Sequence, residues 1–136
     1  MRLTARLDYA CRALFELGLH WPNSTPIQLN DISRNQKIPV KFLTLIMLPL
    51  KQAGIVNSLR GKQGGYVLNR APAKIKLSEL YSIFEASNAG SYKGSPVTSA
   101  LWKEVDAGIN KVMDEITLEN ICQRGRTQNK TIIYQI

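Results

Sequence analysis

Residues 29–70 read LNDISRNQKIPVKFLTLIMLPLKQAGIVNSLRGKQGGYVLNR, and the periods inside this stretch set the architecture. Asn30 to Gln36 is long enough for a two-turn helix anchored by Leu29 and Ile32. Lys37 and Ile38 form a short connection to Pro39, whose fixed φ suits the first turn of a helix. The next helix carries an apolar stripe on Phe42, Leu43, Ile46, Met47, Leu50 and Ala53, and Gly54 stands where a C′ residue stops a helix. Two helices joined by so tight a turn form a helix-turn-helix. Beyond them, Ile55 to Leu59 and Tyr66 to Leu68 are short β-type runs around Arg60-Gly61-Lys62-Gln63-Gly64-Gly65, a turn rich in residues that tolerate positive φ. The expected product is a hairpin with a basic tip, the wing of a winged helix-turn-helix.

On the N-terminal side, Leu3, Leu7, Ala10, Cys11, Leu14, Leu17 and Gly18 recur every three or four residues, which predicts an amphipathic helix with Thr4 as N-cap. The turn formers between His20 and Pro26 end it. On the C-terminal side, Leu77, Leu80, Tyr81 and Phe84 predict another helix, and Asn88 to Pro96 is loop-like. From Thr98 onward, Leu101, Val105, Gly108, Ile109, Val112, Met113 and Ile116 form a seam on a long helix, a pattern that commonly pairs with its copy in a second subunit. Thr117 is placed to cap a last helix through about Arg124, and Lys130 to Ile136 is expected to be a β-prone or disordered tail. The expected fold is mainly α with a small β-hairpin wing. A winged helix-turn-helix region covers residues 1–76; a linker helix, dimerisation helix and tail cover residues 77–136.

Charge divides at the same place. Residues 1–76 hold 12 Lys and Arg against 3 Asp and Glu, a net +9, whereas residues 77–136 hold 6 against 7, a net −1. A basic front half and a near-neutral back half imply that one end meets a polyanion while the other serves another purpose. No apolar run approaches the roughly 20 residues that span a bilayer, and the start does not read as a signal peptide. A cytoplasmic, nucleoid-associated protein without membrane contact is expected. Cys11 and Cys122 are the only cysteines, which argues against a disulfide framework and a structural zinc site.

A major groove admits one helix, whose face opposite the core then reads base edges. On the second helix of the motif that face comprises Val40, Lys41, Thr44, Leu45, Leu48 and Lys51. Lys41 can reach a phosphate or guanine, Thr44 most bases, and Leu45 a thymine methyl. For Leu45 and Leu48, however, burial against the first helix or the wing is the favoured expectation. Pro49 should kink or loosen the helix. At the wing, Arg60 beside Gly61 suits a narrow minor groove, and Lys62 and Gln63 sit where phosphates would pass.

These residues resemble the Rrf-two family of bacterial winged-helix regulators, which includes iron-sulfur, nitric-oxide and cysteine-metabolism regulators. The resemblance is carried by Leu3-Thr4, Asp8-Tyr9-Ala10, Phe42-Leu43, Pro49-Leu50-Lys51 and Ala53-Gly54-Ile55-Val56. Its most specific part is Arg60-Gly61-x-x-Gly64-Gly65-Tyr66-x-Leu68 followed by Arg70. Leu77 to Glu85 and Ile116-Thr117-Leu118 extend it over nearly the whole chain. It implies a transcription regulator that binds double-stranded DNA as a homodimer, held by the helix near residues 98–115 through Leu101, Val105, Ile109, Val112, Met113 and Ile116. It also implies a near-palindromic operator, contacted by Pro39 to Leu45 and by Arg60 to Gln63. Apart from the resemblance, the regulator is expected to answer to an effector: a small molecule, thiol oxidation or a partner protein.

Many members hold an iron-sulfur cluster on three cysteines before the dimer helix, but residues 87–104 here contain none. Hydroxyl and amide groups are poor substitutes for thiolates. A standard three-cysteine cluster is therefore excluded, and no cofactor is expected. The alternative is a redox- or iron-responsive regulator with non-standard ligands: Asp8 matches a position that ligates the cluster in some members, and Cys11 and Cys122 could join it. Against this, Asp8 can pair with Arg12 and Cys11 can fill core. The glycines beside Lys62 lack the order of a phosphate-binding P-loop. No set of His20, carboxylates or serines suggests an enzyme, and a basic module without sequence preference is the other competing class.

Overall fold

The computed structural model describes residues 3–23, 25–85 and 95–135. Its elements run α1 (Ala5–Gly18), α2 (Leu29–Gln36), α3 (Val40–Gln52), β1 (Val56–Leu59), β2 (Gly65–Leu68), a 3₁₀ turn (Pro72–Lys74), α4 (Leu77–Glu85), α5 (Pro96–Asp114) and α6 (Leu118–Gln135). This is the expected mainly helical fold with a hairpin wing. No helix among the described residues is long and apolar enough to cross a membrane.

The core is organised around α1. Leu7, Ala10, Ala13, Leu14 and Leu17 are buried and share one cluster with Ile32 of α2, with Leu43, Ile46, Met47 and Leu50 of α3, and with Leu80 and Phe84 of α4. Leu118 and Cys122 of α6 complete the cluster, so one core draws on residues from both sides of position 76. Each large aliphatic side chain enclosed in this way contributes roughly 1.5–3 kcal/mol.

Polar contacts fix how α2 sits on α1. The buried Glu16 carboxylate accepts hydrogen bonds from the side-chain amides of Asn35 and Gln36, both at 2.7 Å. The Arg12 guanidinium donates to the Gln36 carbonyl at 2.7 Å, and its Nε lies 3.2 Å from Asp8, the ion pair expected from their spacing. Lys37 then takes a left-handed conformation, φ 55°, which turns the chain sharply into α3.

At the far end of α3 the peptide N–H of Gly54 bonds the Lys51 carbonyl and that of Ile55 bonds the Leu50 carbonyl, each at 3.0 Å. With Gly54 at φ 75° and both Leu50 and Ile55 fully buried, this is a Schellman cap with its apolar contact. It delivers the chain into the hairpin, where Val56 pairs with Leu68 and Leu59 with Gly65. A Cβ on Gly65 would lie 2.4 Å from the Ile27 carbonyl oxygen, so only glycine lets Ile27 bridge to Tyr66 along this edge.

Several expectations are corrected. Thr4 occupies the N-cap position of α1, but its hydroxyl donates to the buried carboxylate of Glu85 rather than capping the helix. Leu3 is exposed and precedes α1. Phe42 and Ala53 leave the core stripe of α3 for the surface, because their side chains fall at one flank of the arc centred on Leu43, Ile46, Met47 and Leu50. Leu45 and Leu48 are exposed rather than covered by the first helix of the motif or the wing. Pro49 lies inside α3 without ending it.

The last helix also exceeds its expected end near Arg124, running to Gln135 in place of a β-prone or disordered tail. Extending an existing helix adds a hydrogen bond for each residue fixed, and this outweighs the weak helix preference of Thr131, Ile132 and Ile133. Its start matches expectation: the Asn120 N–H bonds the Thr117 hydroxyl at 3.2 Å while the Asn120 side chain accepts from the Thr117 N–H at 2.9 Å. Of the expected loop between Asn88 and Pro96, residues 88–94 lie outside those described; Ser95 caps α5 by accepting from the Thr98 N–H.

Candidate nucleic-acid interface

α3 and the hairpin each present exposed basic residues, and Lys51 links the two elements. Lys41, Leu45, Leu48 and Gln52 follow one another at steps of four, three and four, which places them in a line along the exposed side of α3, opposite the buried stripe. Val40, Thr44 and Lys51 flank that line and are exposed, and Pro39 is exposed just before the helix. Gln52 was not among the residues singled out from sequence, although its spacing from Leu48 was the available signal.

Lys51 donates from Nζ to the Ser58 hydroxyl at 2.6 Å, tying the end of α3 to strand β1. An ammonium has two further protons, so this tether leaves Lys51 able to meet a phosphate. The Thr44 hydroxyl donates to the Val40 carbonyl at 2.9 Å, which uses its one proton within the helix.

At the wing tip Arg60, Gly61, Lys62 and Gln63 are all exposed. Gly61 has φ 112°, and the Gly64 N–H closes the turn on the Gly61 carbonyl at 3.0 Å. Gln28 donates to the Lys62 carbonyl at 2.9 Å, a brace from the start of α2 that no local pattern reveals, because the residues are 34 positions apart. Lys41, Arg60 and Lys62 take part in none of the ion pairs among the described residues. Arg70 differs: it forms a two-pronged pair with Glu79 at 2.6 and 3.0 Å, which holds its pKa above the usual arginine value and fixes the wing's exit against α4.

This is the arrangement of a winged helix-turn-helix: a helix free on one face, with a basic hairpin braced beside it. The family model described as "Rrf2: Iron-dependent Transcriptional regulator" matches residues 3–124. The chain belongs to the Rrf2 family. It is 32% identical over 130 residues to the HTH-type transcriptional regulator IscR of Xenorhabdus nematophila, spanning 89% of this chain and 79% of that one. The structure of T. potens IscR superposes with a TM-score of 0.78 at 32% identity, covering 92% of this chain and 88% of that one. CymR, the global cysteine regulator of B. subtilis, shares the fold with a TM-score of 0.79 at 24% identity, over 91% of this chain and 98% of that one. This Rrf2-family chain is thus a DNA-binding transcriptional regulator and not an enzyme.

Among the described residues, no ligand set is grouped for the iron in the family's description. Asp8, Cys11 and Cys122 are not brought together, and no three His, Cys, Asp or Glu residues among those described are grouped to hold a metal. Cys122 is buried against Gly18 and the Phe15 carbonyl, whereas Cys11 lies half-buried near Asp8. Burial, and then the nearby Asp8 carboxylate, push the Cys11 thiol up to about 11, and burial raises Cys122 as well. Among the described residues, the alternative set of Asp8, Cys11 and Cys122 is thus not grouped as a three-ligand iron site would require.

The seam on α5 divides. Leu101, Val105 and Val112 are exposed, Ile109 and Ile116 half-buried, and Val97 and Trp102 add apolar surface that the sequence reading missed. Met113 is only 4% exposed within its own chain and so belongs to the protomer's packing rather than to a seam. The cause is tertiary: the Leu77 N–H bonds the Ile116 carbonyl at 2.8 Å, folding the end of α5 back onto α4.

Proposed function

We propose that the chain acts as a homodimer that binds a near-palindromic operator and represses transcription by occupying it. The supporting observation is the exposed face of α3 with unpaired Lys41, next to a hairpin whose Arg60 and Lys62 also lack acidic partners among the described residues. In this reading α3 enters a major groove, Arg60 enters the adjacent minor groove, and Lys62 and Lys51 meet phosphates. Pro39, Val40, Thr44, Gly61 and Gln63, all exposed, are assigned to the same interface in this reading. The second copy is seated on α5, where exposed Leu101, Val105 and Val112 would otherwise leave an apolar stripe in water.

The test is genome-wide mapping of bound fragments, followed by competition between the recovered operator and scrambled duplex at fixed salt. Enrichment of an inverted repeat, a preference of at least about 10³ for it over scrambled duplex, and repression of a promoter containing it in purified transcription support the proposal. Equal affinity for both duplexes would refute it.

A further inference from the structure

We infer that the outward face of α3 selects thymine, reading C5-methyl groups in the major groove through Leu45 and Leu48. This rests on the DNA-binding reading above and deepens it. Leu45 is 65% exposed and Leu48 57%, adjacent members of the line running from Lys41 to Gln52. They occupy the middle of the helix face, where a reading helix ordinarily places arginine, asparagine or glutamine for two-pronged bonds to guanine or adenine.

Between Lys41 and Gln52, no side chain on that line supplies this chemistry. The Thr44 hydroxyl donates to the Val40 carbonyl and keeps only acceptor capacity, and Lys51, off the line, is tethered to Ser58. The remaining hydrogen-bonding groups on the line are Lys41 in the first turn and Gln52 in the last. Thymine is the one base that presents a methyl group in the major groove. Against cytosine, guanine or adenine the same leucines would strip water from a donor or acceptor and return no partner. The pair therefore favours thymine and also penalises the other bases.

Charge decides the occupant. α3 contains no acidic residue, and its leucines are flanked by Lys41 and Lys51 with Arg60 and Lys62 on the wing, a surround that matches a polyanion. The exposed stripe of α5 is bordered instead by Lys103, Glu104, Asp106 and Lys111, the mixed surround of a contact between protein surfaces.

The experiment enriches bound sequences from a randomised duplex library with the full chain. The selected duplex is then resynthesised with deoxyuridine in place of thymidine at one position at a time. This removes a single methyl and leaves base pairing and protein unchanged. Wild-type binding is expected to weaken about three- to fivefold for each contacted methyl, at one or more positions in each half-site. Leu45→Ala and Leu48→Ala, checked for native circular dichroism, should each bind the thymine and uracil forms alike at the position that leucine reads. Wild-type affinities equal for thymine and uracil at every position would overturn the inference while leaving the regulator reading intact. Failure to enrich any sequence would overturn both. Loss of a dimer on substituting Leu45 or Leu48 would assign this face to a second copy and overturn the inference.

Discussion

Arg60 is the clearest single-residue case, because it stands exposed at a tip whose shape is set by Gly61 and Gly64 rather than by its own side chain. Arg60→Ala should therefore weaken operator binding by roughly 1–3 kcal/mol without altering the fold. Fluorescence anisotropy with a circular dichroism control measures this, and an unchanged affinity would remove Arg60 from the interface. Cys11 behaves oppositely, since its burial keeps the thiol protonated up to about 11. Alkylation of Cys11 by iodoacetamide in the native protein should keep rising about tenfold per pH unit through pH 9 and level off only near 11. A plateau near pH 9 would show a thiol open to water. The same shift means that Cys11 favours the folded state below pH 9.0 and that this contribution declines as pH climbs toward 11. Asp8 with Arg12 was legible from i,i+4 spacing, whereas Glu16 with Asn35 and Gln36 was not, since no local rule links positions 19 and 20 residues apart.

Among the elements, α6 differs most from expectation. Its crossing with α1 depends on two glycines: a Cβ on Gly18 would lie 2.6 Å from Cys122 Sγ, and one on Gly125 would lie 2.3 Å from the Phe15 ring. Gly125→Ala should cost about 1–3 kcal/mol by forcing Phe15 or α6 aside, seen as a lower midpoint in denaturant unfolding. An unchanged midpoint would show that the ring moves freely. Helix α3 shows what periodicity can and cannot tell. Leu43, Ile46, Met47 and Leu50 were assigned to the core and are buried there, but Phe42 and Ala53 at the edge of the stripe are exposed. A window of helical spacing gives the centre of the buried arc; its width depends on how closely α1 and α2 approach. For Leu45 and Leu48, hydrophobicity alone suggested cover, and only the packed structure shows that no element reaches them.

At the scale of the whole molecule, the proposed homodimer would couple dimerisation to DNA binding by geometry, because two half-sites would be held at once. Leu101→Glu combined with Val105→Glu should give a folded monomer in sedimentation equilibrium, with operator affinity lowered by roughly 10² or more. A persisting dimer would move the interface off α5. Cutting the chain before α5 is a poorer test, since Leu118 and Cys122 are part of the core cluster and their removal would disturb the winged region itself.

From the sequence alone came the helix-turn-helix, the wing, the long fifth helix, the capping Thr117 and the concentration of positive charge in the first 76 residues. Each depends on local periods, turn chemistry or charge counts, which act between near neighbours in the chain. Tertiary structure alone decided the exposure of Leu45 and Leu48, the burial of Met113, the pairing of Arg70 with Glu79, and the packing of Cys122 against Gly18. Those outcomes depend on which helices meet and at what distance, and that follows from the packing of the whole core rather than from any one segment.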